Sequence, residues 1–412
     1  MSGMDLPGSI PRQTRRFEQK REAILDAAAA LFNEKGVRGA TLQDVAQSVG
    51  LMTNSITYYY RKKEDLATAC LLRTIEVLDG LIAAVDLTAP PETRVRQFLG
   101  FYVAHLAVIA TGAEPQLIMF NDIRALASPH DAMVFESYTA MFRRLRALLD
   151  RPDEPLAERM TRNGRAHLLI SIVHGMRNWI DRTEPDSYAR TAERTADILL
   201  EGFATQSSVW AVRPPEIVWP KVDDVSPEAF LRSATYLINE QGYRGASVEK
   251  ISARLKVTKG SFYHHIDNKD DLVAACFARS FDVIRRVQRV AEADHTTGWD
   301  RLCAAATEIV RYQLSDQGPV LRATAFSALP ENMRGPIQKT MDRITRRFGG
   351  FVADGMLDGS IRLVDPAIAA HLLGTTMNAA AEIERWVPDV TLELAMATYA
   401  RPLFFGLFSE RR

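Results

Sequence analysis

The stretch from Leu25 to Ala40 returns as Leu231 to Ala246, with Leu31/Leu237, Asn33/Asn239, Glu34/Glu240, Gly36/Gly242 and Arg38/Arg244 in register. The match runs without a gap through Lys63-Glu-Asp-Leu66 and Lys269-Asp-Asp-Leu272 to Cys70/Cys276 and Val77/Val283. It gives roughly 17 identities in about 55 positions, far above chance. The offset of 206 residues is half of the 412-residue chain. The ends of the halves agree more loosely. His167-Leu-Leu169 and His371-Leu-Leu373 open long apolar patterns, Trp179 and Trp386 fall near their ends, and Leu199-Leu-Glu-Gly-Phe203 parallels Leu403-Phe-Phe-Gly-Leu407. A whole subunit is therefore duplicated, and any fold proposed for one half must also serve the other.

Between the copies, residues 206–225 carry Pro214, Pro215 and Pro220 and little periodicity. They read as a linker stiffened locally by proline. Fully extended, about 20 residues reach roughly 65–70 Å, enough for the two copies to pair with each other. Within the copies, apolar residues recur at spacings of three and four, as in Ala28, Leu31, Phe32 and in Leu169, Ile172, Val173, Met176. That is helical spacing, and the expected fold class is all-α.

The repeated segment has an internal order. Lys20–Lys35 reads as a helix closed by Gly36. Thr41 caps a second helix, with Asp44 three residues on as a variant capping box, and that helix buries Leu42, Val45, Ala46 and Val49. Gly50 turns the chain into a short third helix from Thr53 to Tyr60. The second copy repeats this with Ser247 as cap, Val248, Ile251, Ser252 and Leu255 inward, and Lys259–Ile266 following. Lys256 stands where the first copy has Gly50. Helix, short helix, tight turn and helix make a helix-turn-helix, whose last helix enters the major groove of DNA.

The segments Val257-Thr-Lys-Gly-Ser-Phe-Tyr-His-His-Ile266 with Asn268-Lys-Asp-Asp-Leu272, and Gly50-Leu-Met-Thr-Asn-Ser-Ile-Thr-Tyr-Tyr-Tyr60 with Lys62-Lys-Glu-Asp-Leu66, resemble the helix-turn-helix of the TetR family of transcriptional regulators. The first copy departs from the family pattern at Asn54 and Thr57. The resemblance implies a DNA-reading head in each copy: Thr41, Thr53, Asn54, Ser55, Tyr58, Tyr59 and Lys63 in the first, and Ser247, Lys259, Gly260, Ser261, Tyr263, His264, His265 and Lys269 in the second. Thr53 and Lys259 open the recognition helices, where an ammonium suits guanine O6/N7 and a threonine suits a thymine methyl or a phosphate. Thr41/Ser247, Tyr59/His265 and Lys63/Lys269 match positions that grip phosphates, which set register rather than sequence. Two unlike heads in one chain imply a bipartite operator that is not a true palindrome. Ile56, Tyr60, Phe262 and Ile266 read instead as core. His264-His265 are adjacent and point apart on a helix, so no metal or other cofactor is expected.

Lys+Arg and Asp+Glu both number 51, so attraction to DNA must be local. Arg12, Arg15, Arg16, Lys20 and Arg21 form a basic arm suited to a minor groove or to phosphates, or else a solvated tail. The second copy has Asp223, Asp224 and Glu228 there.

The domain reading is an arm at 1–20, a head at 21–66, a helical ligand-binding and dimerisation domain at 67–205, the linker, a second head at 226–272 and a second helical domain at 273–412. In the family the last two long helices pair across a four-helix interface. They are placed here near Arg159–Asp181 with Tyr188–Ala204, and Pro366–Trp386 with Thr391–Phe408. The copies are expected to form an intramolecular pseudo-dimer, with further homodimerisation left open. Effector liners are expected at Phe101, His105, Met119, Phe120 and Arg124, and at Tyr312, Phe326, Met341 and Arg385, though for any single one of them core packing is the plainer reading.

Residues Gly355–Pro366 and Arg385-Trp386 loosely resemble family members that sense acyl-CoA thioesters or lipid-like metabolites. A small, mostly apolar effector with one anionic group met by an arginine follows, releasing a repressor from operator DNA; activation is the other sign. A ligand-sensing or scaffold protein with degenerate heads is the alternative. An enzyme using the same pockets is disfavoured by the lack of a positioned nucleophile, base or metal set. Cys70, Cys276 and Cys303 form no CxxC pair, Met1–Pro11 holds no apolar run, and Phe98–Ala110 falls short of the ~18–20 residues needed to cross a bilayer. A soluble, cytoplasmic protein without membrane partners is expected.

Overall fold

A computed structural model describes residues 12–120, 123, 126–151, 158–211, 217–219, 226–245, 247–255 and 268–410. Among them every regular element is helical, apart from a single antiparallel bridge between Ala204 and Ile361. The all-α expectation holds. No helix among the described residues is long and apolar enough to cross a membrane. The chain divides into two compact units, residues 1–76 with 115–137, and residues 77–114 with 138–412.

The first unit contains α1 (Arg12–Gly39), α2 (Leu42–Ser48), α3 (Thr53–Tyr59) and the start of α4 (Lys63–Ala83). The basic arm differs from expectation, because α1 is already helical at Arg12 rather than at Lys20. Nothing between Gln13 and Lys20 breaks a helix, and most of these residues are good helix formers. The arm is thus an extension of α1, with Arg16 and Lys20 exposed along it; the side chains of Arg12 and Arg15 lie outside the described ones. The path of α1 is broken at Gly36, whose φ of 69° only glycine adopts without strain. The equivalent Gly242 (φ 71°) breaks α9 (Pro227–Gly245) in the second copy. Within α2, Val45 and Ala46 are buried, whereas Leu42 and Val49 are half-exposed. Ile56 and Tyr60 are buried, in keeping with their reading as core.

The second unit holds the rest of α4, α5 (Pro91–Ala110), most of α6 (His130–Ala147), α7 (Arg159–Met176) and α8 (Tyr188–Glu201). It also holds the whole described second copy: α9, α10 (Val248–Leu255), α11 (Lys269–Asp294), α12 (Gly298–Leu314), α13 (Glu331–Asp358) and α14 (Pro366–Ala379). The chain ends in α15 (Leu392–Ala395), a π turn over Met396–Ala400, and α16 (Arg401–Phe405).

The two copies meet inside this unit through their last helices. α7 packs on α14 and on the π turn, and α8 on α14 and α16. Nearly all of α7 from Arg162 to Met176 is buried, which is why its sequence is apolar on more than one face. Trp179 stacks on His371 at 4.8 Å, His167 on Tyr399 at 4.9 Å, and Phe142 on Trp386 at 3.5 Å. Asn163 Nδ2 donates to Trp386 O at 2.6 Å. Arg182 pairs with Asp342 at 2.7 Å, Arg362 with Asp197 at 2.8 Å, and Arg194 with Asp365.

The contact is reciprocal at its edge. Phe203 N donates to Phe404 O at 2.8 Å, and Leu407 N to Leu199 O at 2.8 Å. A Cβ on Gly202 would stand 2.2 Å from Phe404 O, and one on Gly406 would stand 2.3 Å from Leu200 O. The repeated glycine thus lets each copy's chain end approach the other's backbone, the same patch serving both partners as in an isologous dimer.

The linker differs from a simple tether. Trp210 packs against Phe404 at 4.8 Å, and Trp299 Nε1 donates to Val209 O at 2.9 Å. Further on, Trp219 Nε1 donates to Glu308 Oε1 at 3.0 Å while its ring meets Tyr312 at 4.7 Å and lies under the Arg286 guanidinium. Two indoles hold the described linker residues against the second copy. A proline-based reading missed them, although tryptophans in an otherwise polar connection are a visible signal of docking.

Candidate nucleic-acid interface

The first head is positioned by its caps. Thr41 Oγ1 accepts from Asp44 N at 3.1 Å, and Thr41 N donates back to Asp44 Oδ2 at 2.8 Å, a full capping box. The Thr41 hydroxyl also donates to Asp44 Oδ2 at 2.7 Å. These bonds, the hydroxyl's first, hold the Asp44 carboxyl below its ordinary range. Thr41 is exposed, yet its proton is spent locally, so a phosphate would have to compete with Asp44 for it. Lys63 Nζ donates to Ala40 O at 3.0 Å, which sets a cation beside the start of α2.

Gly50 (φ 66°) makes the turn into α3. Along that helix Asn54, Thr57 and Tyr58 are exposed, and Thr53, Ser55 and Tyr59 are partly so. Tyr58 is 76% exposed and the neighbouring Met52 80%. Burying so much apolar surface requires a partner or a tolerated exposure. The extended α1 reaches this surface: Phe17 stacks on Tyr59 at 4.7 Å and meets Tyr58 edge-on at 6.0 Å. Arg21 Nε donates to Tyr60 OH at 3.2 Å. Phe17 is a residue the sequence reading missed; its signal is a lone aromatic within a basic run. The result is an aromatic cluster of Phe17, Tyr58 and Tyr59 beside the exposed polar groups of α3, with Arg16 and Lys20 exposed on the same helix as Phe17. Cations for phosphates and polar side chains for base edges are what duplex binding needs.

In the second head Ser247 Oγ accepts from Lys250 N at 3.3 Å to cap α10, and Ile251 and Ser252 are buried, with Leu255 partly so. Asn268 caps α11, its Oδ1 accepting from Asp271 N at 2.9 Å, and Lys269 is the first residue of that helix. Lys259, Gly260, Ser261, Tyr263, His264 and His265 lie outside the described residues.

The expected effector liners of the first copy fall in both units. Phe101 (exposed) and His105 (partly buried) are on α5 in the second unit, whereas Met119 and Phe120, both partly buried, belong to the first; Arg124 lies outside the described residues. Tyr312 is buried in a cluster with Val283 and Val320, and its hydroxyl accepts from Arg279 Nη2 at 2.7 Å. Phe326 and Met341 are partly buried, and Arg385 is exposed. Arg177, just past α7, is a group not foreseen. Burial lowers its pKa, and its charge is felt by Tyr102, His105 and His174. Burial also lowers the pKa of His105 and takes that of His174 to about 4.

The family model for bacterial regulatory proteins of the tetR family matches twice, at residues 24–70 and 230–276, and that for the tetracyclin repressor-like C-terminal domain matches residues 295–386. The chain is 37% identical over 147 residues to the transposon Tn10 TetC protein of Escherichia coli, covering 35% of this chain and 73% of that one. It is 31% identical over 123 residues to the HTH-type transcriptional repressor KstR2 of Mycobacterium tuberculosis, covering 29% of this chain and 58% of the relative. Among solved structures, AibR in complex with isovaleryl coenzyme A and operator DNA shares 23% identity over 44% of this chain and 98% of that one, with a TM-score of 0.35. The chain belongs to the TetR family of bacterial regulatory proteins, and it carries that family's DNA-binding domain twice.

Proposed function

We propose that this protein is a single-chain, pseudo-dimeric transcriptional repressor that binds one operator through two unlike helix-turn-helix heads. The observation that carries the reading is the reciprocal contact between the copies, centred on Gly202 against Phe404 and Gly406 against Leu200. Two-headed helix-turn-helix proteins bind half-sites one or a few helical turns apart, and their symmetry is mirrored in the operator. Here the heads differ at almost every base-facing position, Thr53 against Lys259 and Asn54 against Gly260, so the half-sites differ as well. Thr53, Asn54, Ser55 and Tyr58 read bases in the first head, with Lys259, Gly260, Ser261, Tyr263 and His264 in the second. Thr41, Tyr59, Lys63, Ser247, His265 and Lys269 hold the backbone.

The effector is a small, mostly apolar molecule with an anionic group, of which acyl-CoA thioesters are one class. Arg177, just past α7 and with its charge felt by Tyr102, His105 and His174, is the cation proposed to meet that group. An effector that prefers the arrangement with misplaced heads lowers operator affinity by linkage.

Footprinting of the purified chain on the DNA upstream of its own coding sequence, at low salt, tests the reading. One protected stretch with two unlike half-sites supports it. Absence of protection overturns it in favour of a sensing module with degenerate heads. A panel of acyl-CoAs titrated against the footprint then tests the effector, and Arg177→Ala is expected to abolish any release.

A further inference from the structure

The same polar device joins each head to the peptide that follows the second helix of its regulatory bundle. In the first copy Asn33, on α1, donates from Nδ2 to Leu117 O at 2.9 Å and accepts at Oδ1 from Met119 N at 2.8 Å. Between those bonds Ile118 N donates to Thr74 Oγ1 on α4 at 3.1 Å. In the second copy Asn239, on α9, donates to Val320 O at 2.9 Å and accepts from Arg322 N at 3.0 Å. Leu321 N donates to Ser280 Oγ on α11 at 2.8 Å.

A primary amide carries a donor and an acceptor side by side, as a strand edge does, so each asparagine pairs with a three-residue peptide as a neighbouring strand would. Leu117, Ile118, Val320 and Leu321 are buried, where peptide groups must find partners. Around these contacts the copies have diverged: Leu-Ile-Met faces Val-Leu-Arg, and threonine faces serine. The asparagine and the bonding pattern are the same in both.

In the second copy the device extends to the interface between copies. Gln313 Oε1 accepts from Val320 N at 3.0 Å, and Gln313 Nε2 donates to Met377 O on α14 at 2.9 Å. Asn378 Nδ2 donates to Leu321 O at 3.2 Å, and Arg322 pairs with Glu382 at 3.0 Å. α14 in turn packs on α7 of the first copy.

We propose that Asn33 with Thr74, and Asn239 with Ser280, are positioning residues that fix the pitch of each head to residues 117–119 and 320–322. A shift of that peptide then moves the whole head rather than bending a loop. The assignment deepens the operator reading but depends on it only in the DNA arm of its test.

Hydrogen exchange of the full chain, read by mass spectrometry, is the test. Asn239→Ala is expected to speed exchange of α10 amides roughly tenfold, the loss of about two hydrogen bonds, while α2 and α3 are unchanged. Asn33→Ala does the converse. Asn33→Leu, which keeps the volume without the amide, fails to restore protection. Faster exchange confined to residues 117–119 or 320–322, or full protection in Asn33→Leu, overturns the assignment. If Asn239→Ala does not fold, Ser280→Ala decides, and unchanged α10 exchange in it counts against the proposal. In footprints, each asparagine variant is expected to weaken only its own half-site, and equal weakening of both contradicts it. If the exchange pattern holds and the wild-type chain protects no DNA, the latch stands and the operator reading falls.

Discussion

Arg73 and Arg279 occupy the same place in the two copies and do different amounts of structural work. Each reaches back to the equivalent glutamate on the first helix of its head: Arg73 to Glu22 at 3.5 Å, and Arg279 to Glu228 at 2.5 Å. Arg73 adds Asp26 at 2.5 Å and keeps 16% of its side chain exposed. Arg279 keeps 4% and also donates to Tyr312 OH, Gln317 O and Pro319 O. The ion pair is shared by both copies, but only in the second is its arginine drawn under the surface and surrounded by acceptors. A duplicated subunit can therefore keep one ion pair in both copies while one copy buries its arginine.

The largest expected effect breaks that comparison directly. Arg279→Ala strands a partly buried carboxylate, a phenol and two carbonyls, and should cost about 3–4 kcal/mol of unfolding free energy. Arg73→Ala should cost about 1 kcal/mol, as for a half-exposed pair. Urea midpoints of the two variants measure the difference, and equal losses would remove the distinction between the copies.

Next come the paired glycines. Gly202→Ala and Gly406→Ala each drive a methyl into the other copy's backbone at a positive φ (69° and 102°), at an expected cost of about 2–4 kcal/mol apiece. Similar losses support a reciprocal interface; a loss in only one makes the contact one-sided.

Acidification should act through the interface histidines. Burial lowers the pKa of His174 and of His371 to about 4, below the unfolded value of about 6.5. The unfolded chain therefore binds more protons between these values, and stability is full above about pH 6.5 and falls as the pH drops toward 4. A loss of about 1–2 kcal/mol per histidine by pH 5 is expected. His371→Asn should flatten the dependence of stability on pH over that window, and an unchanged slope would contradict the assignment.

The smallest contrast is between the caps. Thr41→Ala removes a full capping box and should cost about 1 kcal/mol, and Ser247→Ala, whose bond is 3.3 Å, about half that. Thermal unfolding of both variants would rank them.

Much of this architecture was legible in the sequence because it is written in local terms. Helical spacing, the Thr41-Asp44 box, the glycines at 36 and 242 and the repeat itself are short-range patterns, and they fixed the fold class and the first head. The helix beginning at Arg12 escaped because a basic run suits a helix and a solvated tail equally well. Trp210, Trp219, Arg177 and the Asn33 and Asn239 clamps are defined by partners dozens of residues away, and spacing does not encode those. Tyr312 was read as an effector liner, and the hydroxyl bond that ties it to Arg279 was not legible.

The central claim, that one chain supplies both heads, is tested most directly by the molar mass of the complex formed with the DNA duplex the protein footprints. One 46.0 kDa chain per duplex is expected, unchanged on dilution of the protein before mixing. Two chains per duplex, with occupancy rising as the square of protein concentration, would contradict it.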